Sequence, residues 1–353
     1  VIEVYRRNYK SESNILTYAL YVMFFPQLVA GPIERPAHLL PQFKVVHDFK
    51  AQNLRMGLER MLWGFFKKLV IADQIAVIID RLYANLPNDG PSLILIAVLF
   101  SYQLFADFSG YSDIAIGTAR ALGYELSENF NRPYSARSIS QFWRKWHMSL
   151  SNWIRDYLYI PLGGNRVSKI RWYFNLLLTF VLIGLWHGAN WTFVMFGATH
   201  GVYMIIGSAT EKMRQWVSDF TRLSKIPKIK SAMQVFSVFA LVSFGWIFFR
   251  AESLKEAWFI ISHLTNGLGN LFNVDYITHQ LFRGLHLGKT RPFIILFSVL
   301  VLEIVQYYQA HKENFYIFDS KPKSLRHAWY YALILAILFL GYFGSKPFIY
   351  FQF

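Results

Sequence analysis

Apolar residues occur along this chain in long runs that are separated by short polar and basic stretches. Residues 172–210 contain no Asp, Glu, Lys or Arg over 39 positions. Because a membrane-spanning helix needs about 20 mainly apolar residues, this run predicts two spans with a break near residues 188–190. Four further spans are predicted at residues 91–106, 231–249, 292–308 and 328–345. The predicted fold class is therefore all-α, a polytopic transmembrane helix bundle.

Other segments are too short, too polar or too broken to be simple spans. In residues 14–33, prolines and glycines interrupt the second half, which predicts a short helix followed by a bent segment. Residues 43–60 form a polar, helix-like stretch expected along the membrane interface. Residues 61–80 are apolar but contain charges, so they span, re-enter or lie obliquely. The bundle is thus expected to contain re-entrant and interfacial helices.

The charge balance agrees with a membrane protein. Only 16% of residues are charged and 54% are hydrophobic, whereas a soluble domain has about 25% charged residues. The net charge of +15 is concentrated in blocks between the apolar runs, which follows the positive-inside rule and not a nucleic-acid-binding module. Residues 131–171 form the largest block, expected to lie on or dip into the cytoplasmic leaflet. The absence of cysteine excludes disulfides and thiolate nucleophiles.

Two carboxylates follow the apolar run 91–106 at its membrane boundary, Asp107 and Asp113, with Gly110 between them. Paired carboxylates can bind a cation or act as acid and base. Such residues more commonly cap helices, and Ser112 or Asp113 is expected to cap a following helix.

Two of the ten histidines are candidates for chemistry. His187 lies inside the uncharged run, where an ionisable side chain is costly unless it lines a polar cavity or reacts. His147 lies in the basic block. An imidazole accepts a proton near neutral pH, so the two could serve one tunnel as a base and a proton relay. The alternative is that His187 is hydrogen-bonded inside a helix bundle.

The cations beside His147 suit a phosphate-bearing acyl carrier. Arg144, Lys145, Arg155 and Arg166 could hold its phosphates, although each could equally meet lipid headgroups. No metal-ligand spacing, phosphate-binding glycine loop or nucleophile elbow occurs, so no metal site and no permanently bound cofactor are expected.

Four stretches resemble the membrane-bound O-acyltransferase family, in particular its bacterial branch for alginate O-acetylation. The longest is QFWRKWHMSLSNWIRDYLYIPLGGNR at residues 141–166. The others are FFPQLVAGPI at 24–33, DFSGYSD at 107–113 and GLWHGANW at 184–191. The closing FIYFQF at 348–353 is also similar to the family's C-terminus.

The resemblance implies a helical bundle around a catalytic tunnel, with residues 1–353 as one membrane domain from which N-terminal helices are missing. It implies transfer of acetyl from cytoplasmic acetyl-CoA across the bacterial inner membrane to an alginate-like exopolysaccharide or to peptidoglycan. The family's catalytic histidines correspond to His187 and His147. Trp186 and Asn190, beside His187, are assigned with Arg144, Lys145 and Arg155 to donor binding. An extracytoplasmic transferase of the SGNH type is the implied protein partner.

Two alternatives remain from the sequence. One is an acyltransferase acting on a lipid or protein hydroxyl. The other is a proton-coupled transporter or flippase with His187 as relay, although such carriers usually show internal repeats, and none is evident here.

Overall fold

The computed structural model describes residues 1–276, 290–312, 315–344 and 346–349. The described residues form helices and turns without strands. The helices are α1 Ile2–Tyr5, α2 Ile15–Met23, α3 Pro36–Phe43, α4 Ala51–Phe65, α5 Asp73–Ala84, α6 Gly90–Ala121, α7 Ile139–Trp143, α8 Met148–Ile154, α9 Lys169–His187, α10 Trp191–Ala209, α11 Glu211–Phe220, α12 Pro227–Arg250, α13 Leu254–His263, α14 Arg291–Lys312 and α15 Lys323–Leu340. Two π-helical segments, Phe66–Ala72 and Arg155–Tyr159, follow α4 and α8.

Five of the described helices are long and apolar enough to cross a membrane: α6, α9, α10, α12 and α14. They confirm the spans predicted at 91–106, 172–210, 231–249 and 292–308. The predicted span 328–345 is helical as α15, but it is not among the five. The stretch 250–291 between two of these spans and the closing motif 348–353 lie partly outside the described residues.

Residues 61–80, whose apolar pattern left their membrane placement open, form one continuous and mostly buried helical segment. The end of α4 continues through the first π-helix into α5, and most of this π-helix is buried, including Lys67 and Lys68. Lys67 forms an ion pair with Asp113, and the Lys68 Nζ lies 2.6 Å from Asp107. Both lysines are therefore neutralised by carboxylates of the neighbouring α6, and Asp73 pairs with Lys68 within the segment itself.

The expected helix cap at Ser112 or Asp113 was wrong. α6 runs without interruption through Asp107, Gly110 and Asp113, so no helix begins there. Both carboxylates are buried, and each takes a lysine partner across the helix interface. A helix cap needs only a local hydrogen bond, whereas a buried carboxylate can equally be satisfied by a cation that is distant in sequence.

Glycines permit the close approach of α4 to α6. A Cβ at Gly57 would lie 2.4 Å from the Gly117 carbonyl oxygen, and one at Gly64 would lie 2.7 Å from the Gly110 carbonyl oxygen. Small residues at such positions let two helix backbones pack directly against each other. This contact aligns the lysines of the π-helix with the carboxylates of α6.

Residues after α15 contact the same charged region between the first π-helix and α6. The Tyr342 N–H donates to the Leu69 carbonyl at 2.9 Å, inside the first π-helix. The Ile349 N–H donates to Asp107 Oδ2 at 2.7 Å, and the Lys68 ammonium lies 4.4 Å from the centre of the Phe348 ring. Ile349 and Phe348 thereby contact the two members of the Lys68–Asp107 pair.

The basic block 131–171 contributes to the protein interior. Phe142, Trp143 and Trp146 are buried, although this block was expected at the leaflet. Phe142 and Trp146 pack with Trp246 of α12, and Trp143 packs with Phe180 of α9. Only part of the block is exposed. α7 and α8 are therefore built into the bundle, and they bring His147 with them.

The α4–α6 contact predicts a sharp difference between two glycine substitutions. Gly64→Ala should destabilise the protein by about 1–3 kcal/mol, because its Cβ meets backbone atoms that cannot move aside easily. Gly207→Ala is the matched control, since a Cβ there meets no described atom within 4 Å. Thermal unfolding in detergent, followed by fluorescence size exclusion, measures both. Equal midpoints would contradict the tight contact.

Candidate active site

His147 begins α8 in a left-handed backbone conformation, with φ of +43°, and its side chain is 4% exposed. Two backbone hydrogen bonds hold this turn: Met148 N–H to the Asn129 carbonyl at 2.9 Å, and Asn131 N–H to the Lys145 carbonyl at 3.0 Å. Such conformations are costly for residues other than glycine and persist where surrounding contacts fix them. The segment 129–131 therefore sets the position of the imidazole.

Asn129 also fixes the proton on that imidazole. Its Oδ1 lies 3.0 Å from His147 Nδ1, 2.9 Å from Ser149 Oγ and 3.4 Å from the Ser149 backbone nitrogen. Its Nδ2 donates to Ser112 Oγ at 3.1 Å. Since a backbone N–H can only donate, this network orients the amide with its oxygen towards His147. Nδ1 then carries the proton, and Nε2 of His147 is the proton-accepting atom.

His187 lies at the end of α9, at the break predicted between the two spans. It is half-buried, and its ring centroid lies 5.1 Å from that of Phe249 and 6.0 Å from that of Phe196. Gly188 follows it without room for a side chain, because a Cβ there would lie 2.6 Å from the Phe193 ring. Aromatic walls from α10 and α12 therefore surround the second histidine.

Trp186 brings the two histidines into one site. Its ring centroid is 5.0 Å from that of His187 and 6.2 Å from that of His147. Burial lowers the pKa of His147 well below its usual value, and the adjacent His187 lowers it further. The indole is 53% exposed, so it also forms the outer surface of the site.

A cavity of about 570 Å³ lies beside the neighbours of His147. Asn129 and Met148, the neighbours of His147 in space and sequence, line one part of it, and Arg132 and Lys145 line another. The remaining wall includes charged side chains of α4, the first π-helix and α6. A polar ligand in this cavity would end beside the hydrogen bond between Asn129 and His147.

Cations give the cavity an affinity for anions. Burial, with the nearby Arg132 and Arg137, lowers the pKa of Lys145, whose Nζ donates to Ser135 Oγ at 3.1 Å. The Arg132 guanidinium lies 5.1 Å from the centre of the Tyr307 ring, and its buried Nε has no hydrogen-bond partner among the described residues. An anion such as a phosphate would relieve both the charge repulsion and the unsatisfied donor.

The other residues assigned to donor binding lie outside this cavity. Arg144 and Arg166 are exposed. Arg155 is also exposed, and its Nε is 2.8 Å from Asp156. Asn190 caps α10 by accepting the Thr192 N–H at 3.1 Å. Of the assigned cations, the structure brings only Lys145 to the cavity wall.

Sequence reasoning missed Asn129 and Arg132, because neither lies in a periodic pattern or a known motif of its own. It also missed His200, which is fully buried and whose Nδ1 lies 3.3 Å from the Trp143 indole nitrogen. The run from Glu128 to Arg132 is polar beside a buried helix, and that polarity was the one available signal.

Together these features define a class: a polytopic helical membrane protein with two histidines inside the bundle, next to a cationic cavity. Residues 6–249 match the model of the membrane-bound O-acyltransferase family, MBOAT. The chain belongs to this family.

Curated relatives agree with that assignment. The chain is 43% identical to the probable alginate O-acetylase AlgI of Azotobacter vinelandii over 259 residues, 73% of this chain and 49% of the relative. It is 35% identical to the peptidoglycan O-acetyltransferase of Helicobacter pylori over 370 residues, 97% of this chain and 65% of the relative. A teichoic acid D-alanyltransferase of Streptococcus thermophilus is 26% identical over 68% of this chain and 62% of the relative. The chain spans about half the length of the alginate relatives that it matches.

The network around Asn129 predicts one tautomer for His147. With ¹⁵N-labelled histidine, the nitrogen shifts of His147 should report a neutral ring protonated at Nδ1 across pH 6 to 8, because its pKa is lowered. The His147→Gln variant assigns the signal. In Asn129→Ala this preference should be lost. A signal that titrates near pH 6.5 in the wild type would refute the arrangement.

Proposed function

We propose that the protein transfers acetyl from cytoplasmic acetyl-CoA, across the bacterial inner membrane, to hydroxyls of a cell-surface or secreted polysaccharide. The observation that carries this proposal is the position of the two histidines. Both rings lie near that of Trp186; the cavity borders Asn129 and Met148 beside His147, and the break between α9 and α10 beside His187 is exposed. Such a site can receive a donor and an acceptor from opposite directions.

The donor is assigned from the chemistry of the cavity. Coenzyme A carries phosphates that Arg132 and Lys145 of the cavity wall would neutralise, and its pantetheine arm would extend inwards towards Met148. The O-acetyltransferase names of relatives support acetyl as the transferred group. Basic blocks on this side of the bundle favour the cytoplasm by the positive-inside rule.

The reaction needs one base and one proton route. His187 takes the proton of the acceptor hydroxyl, the oxygen attacks the thioester carbonyl carbon, and the C–S bond breaks. The proton then passes to the departing coenzyme A thiolate, with Nε2 of His147 suited to relay it. An acetyl-imidazole on His187 that is later attacked by the acceptor gives the same overall balance.

The acceptor is expected on the far side, where the α9–α10 break is exposed. Two relatives are named for alginate and for peptidoglycan, which makes an alginate-like exopolysaccharide or peptidoglycan the proposed acceptor. In this proposal an SGNH-type partner enzyme outside the membrane passes the acetyl group on to the polysaccharide. Residues 1–353 form part of one membrane domain in this proposal. Transfer to a lipid or protein hydroxyl differs in donor preference, so a comparison of acetyl-CoA with long-chain acyl-CoA separates the two.

The first test is thioester turnover. His187→Ala should reduce acetyl-CoA consumption in proteoliposomes by about 100-fold or more, because a general base contributes about 10²–10⁴ in rate. Coenzyme A release is measured with a thiol reagent, which meets no protein thiol because the chain lacks cysteine.

The matched control is His327→Ala, which removes an exposed histidine of α15 and should retain full turnover. Acetyl-CoA binding by the His187→Ala variant separates lost chemistry from lost folding. A variant that binds the donor and turns it over at the wild-type rate would overturn the catalytic role.

The cavity makes a separate prediction about the donor. Lys145→Gln and Arg132→Gln should each raise the KM for acetyl-CoA by about 10-fold, since hydrogen bonds to charged groups contribute about 1.5–3 kcal/mol. Arg155→Gln is the control, because its guanidinium pairs with Asp156 outside the cavity. If Lys145→Gln and Arg132→Gln had the same KM for acetyl-CoA as Arg155→Gln, the cavity would not be the donor site.

A further inference from the structure

The short helix α11 connects two spanning helices. One residue, Thr210, separates it from α10, and a short turn of residues 221–226 leads to α12. Arg214 of α11 folds back to donate to the Gly207 carbonyl at 2.7 Å, which ties the helix to the end of α10. Because both neighbours cross the membrane, α11 must lie at a membrane surface.

Among the described helices, α11 separates apolar and charged side chains most sharply. Its apolar stripe is Met213, Trp216, Val217 and Phe220, at the spacing i, i+3, i+4 and i+7. All four side chains are exposed, with Phe220 at 76%, and the rings of Trp216 and Phe220 stack at 5.4 Å. An apolar stripe normally faces the protein core, and this one does not.

The buried side of the helix shows which way the stripe faces. Ser218 is the one buried residue of α11. At about 100° per residue, Ser218 lies about 150° from the centre of the stripe, on nearly the opposite side of the helix. The helix therefore contacts the protein through its polar side, and it presents Met213, Trp216 and Phe220 away from the protein.

Cations surround this stripe. Lys212 on the helix and Arg222, Lys225 and Lys228 after it are exposed. None of the four makes an ion pair within 4 Å in the described part of the chain, whose ion pairs lie elsewhere. A surface that presents aromatic side chains and uncompensated cations together is complementary to a bilayer with anionic headgroups.

We propose that α11 and the turn after it form a binding surface for anionic phospholipid headgroups. The apolar stripe enters the acyl boundary of the leaflet, and the four cations contact headgroup phosphates. This inference stands independently of the acyl-transfer proposal, because it rests on the amphipathic connection between α10 and α12 alone.

The depth of the apolar stripe of α11 in the membrane is tested by spin labelling. The chain contains no cysteine, so a label attaches only at an introduced cysteine. Val217→Cys places a label on the stripe, and Gln215→Cys places one on the exposed polar side. In vesicles of phosphatidylcholine and phosphatidylglycerol, the label at 217 should relax mainly with oxygen, and the label at 215 mainly with a water-soluble nickel chelate. Equal accessibility to the chelate at both sites would overturn the proposal.

Headgroup charge is tested with Lys225→Gln/Lys228→Gln. The phosphatidylglycerol retained by purified protein, measured by mass spectrometry, should fall about 30-fold relative to phosphatidylcholine, since each of the two cations near an anionic surface contributes about 1 kcal/mol. Lys50→Gln/Lys255→Gln removes two exposed lysines elsewhere and should change retention little. An equal fall in both double variants, each monodisperse on size exclusion, would show that α11 binds no headgroups preferentially.

Discussion

Two buried lysines and two buried carboxylates are the constraint on which the rest of the structure depends. Lys67 and Lys68 are neighbours in the first π-helix, yet each reaches a different carboxylate of α6, Asp113 and Asp107. An unpaired charge in this environment is costly. The continuous helical segment from α4 to α5 must therefore pack against α6 in the one register that satisfies both pairs. The glycine contacts between α4 and α6 make that register sterically possible.

The same stretch of α6 supports the histidine site. Ser112 lies between the two carboxylates and accepts a hydrogen bond from Asn129, which in turn orients His147. The same surface of α6 therefore contributes charge to the cavity wall and holds Asn129, which determines the protonated nitrogen of His147. This coupling explains why DFSGYSD, which looks like a boundary in the linear pattern, is a continuous buried part of the bundle.

The sequence predicted what hydropathy and local motifs encode. The break between α9 and α10 was found because residues 188–190 interrupt two apolar runs, and His187 was found because it is an ionisable side chain within them. The partners of Asp107 and Asp113 were missed, since ion pairs about 40 positions apart leave no local signal. Asn129 was missed for the same reason: its contacts are with Ser112 of α6 and with residues 147–149, two segments distant from it in sequence. The catalytic roles of His147 and His187 stay predictions.

Asp107 has a consequence for how this protein is made. It acquires a donor from the backbone of Ile349, 242 positions later in the chain. During synthesis α6 is made long before Ile349. Until Ile349 is added, Lys68 is the partner available to the carboxylate. A chain that lacks Ile349 would leave this oxygen of Asp107 without its backbone donor, and Lys68 would remain as the partner of the carboxylate.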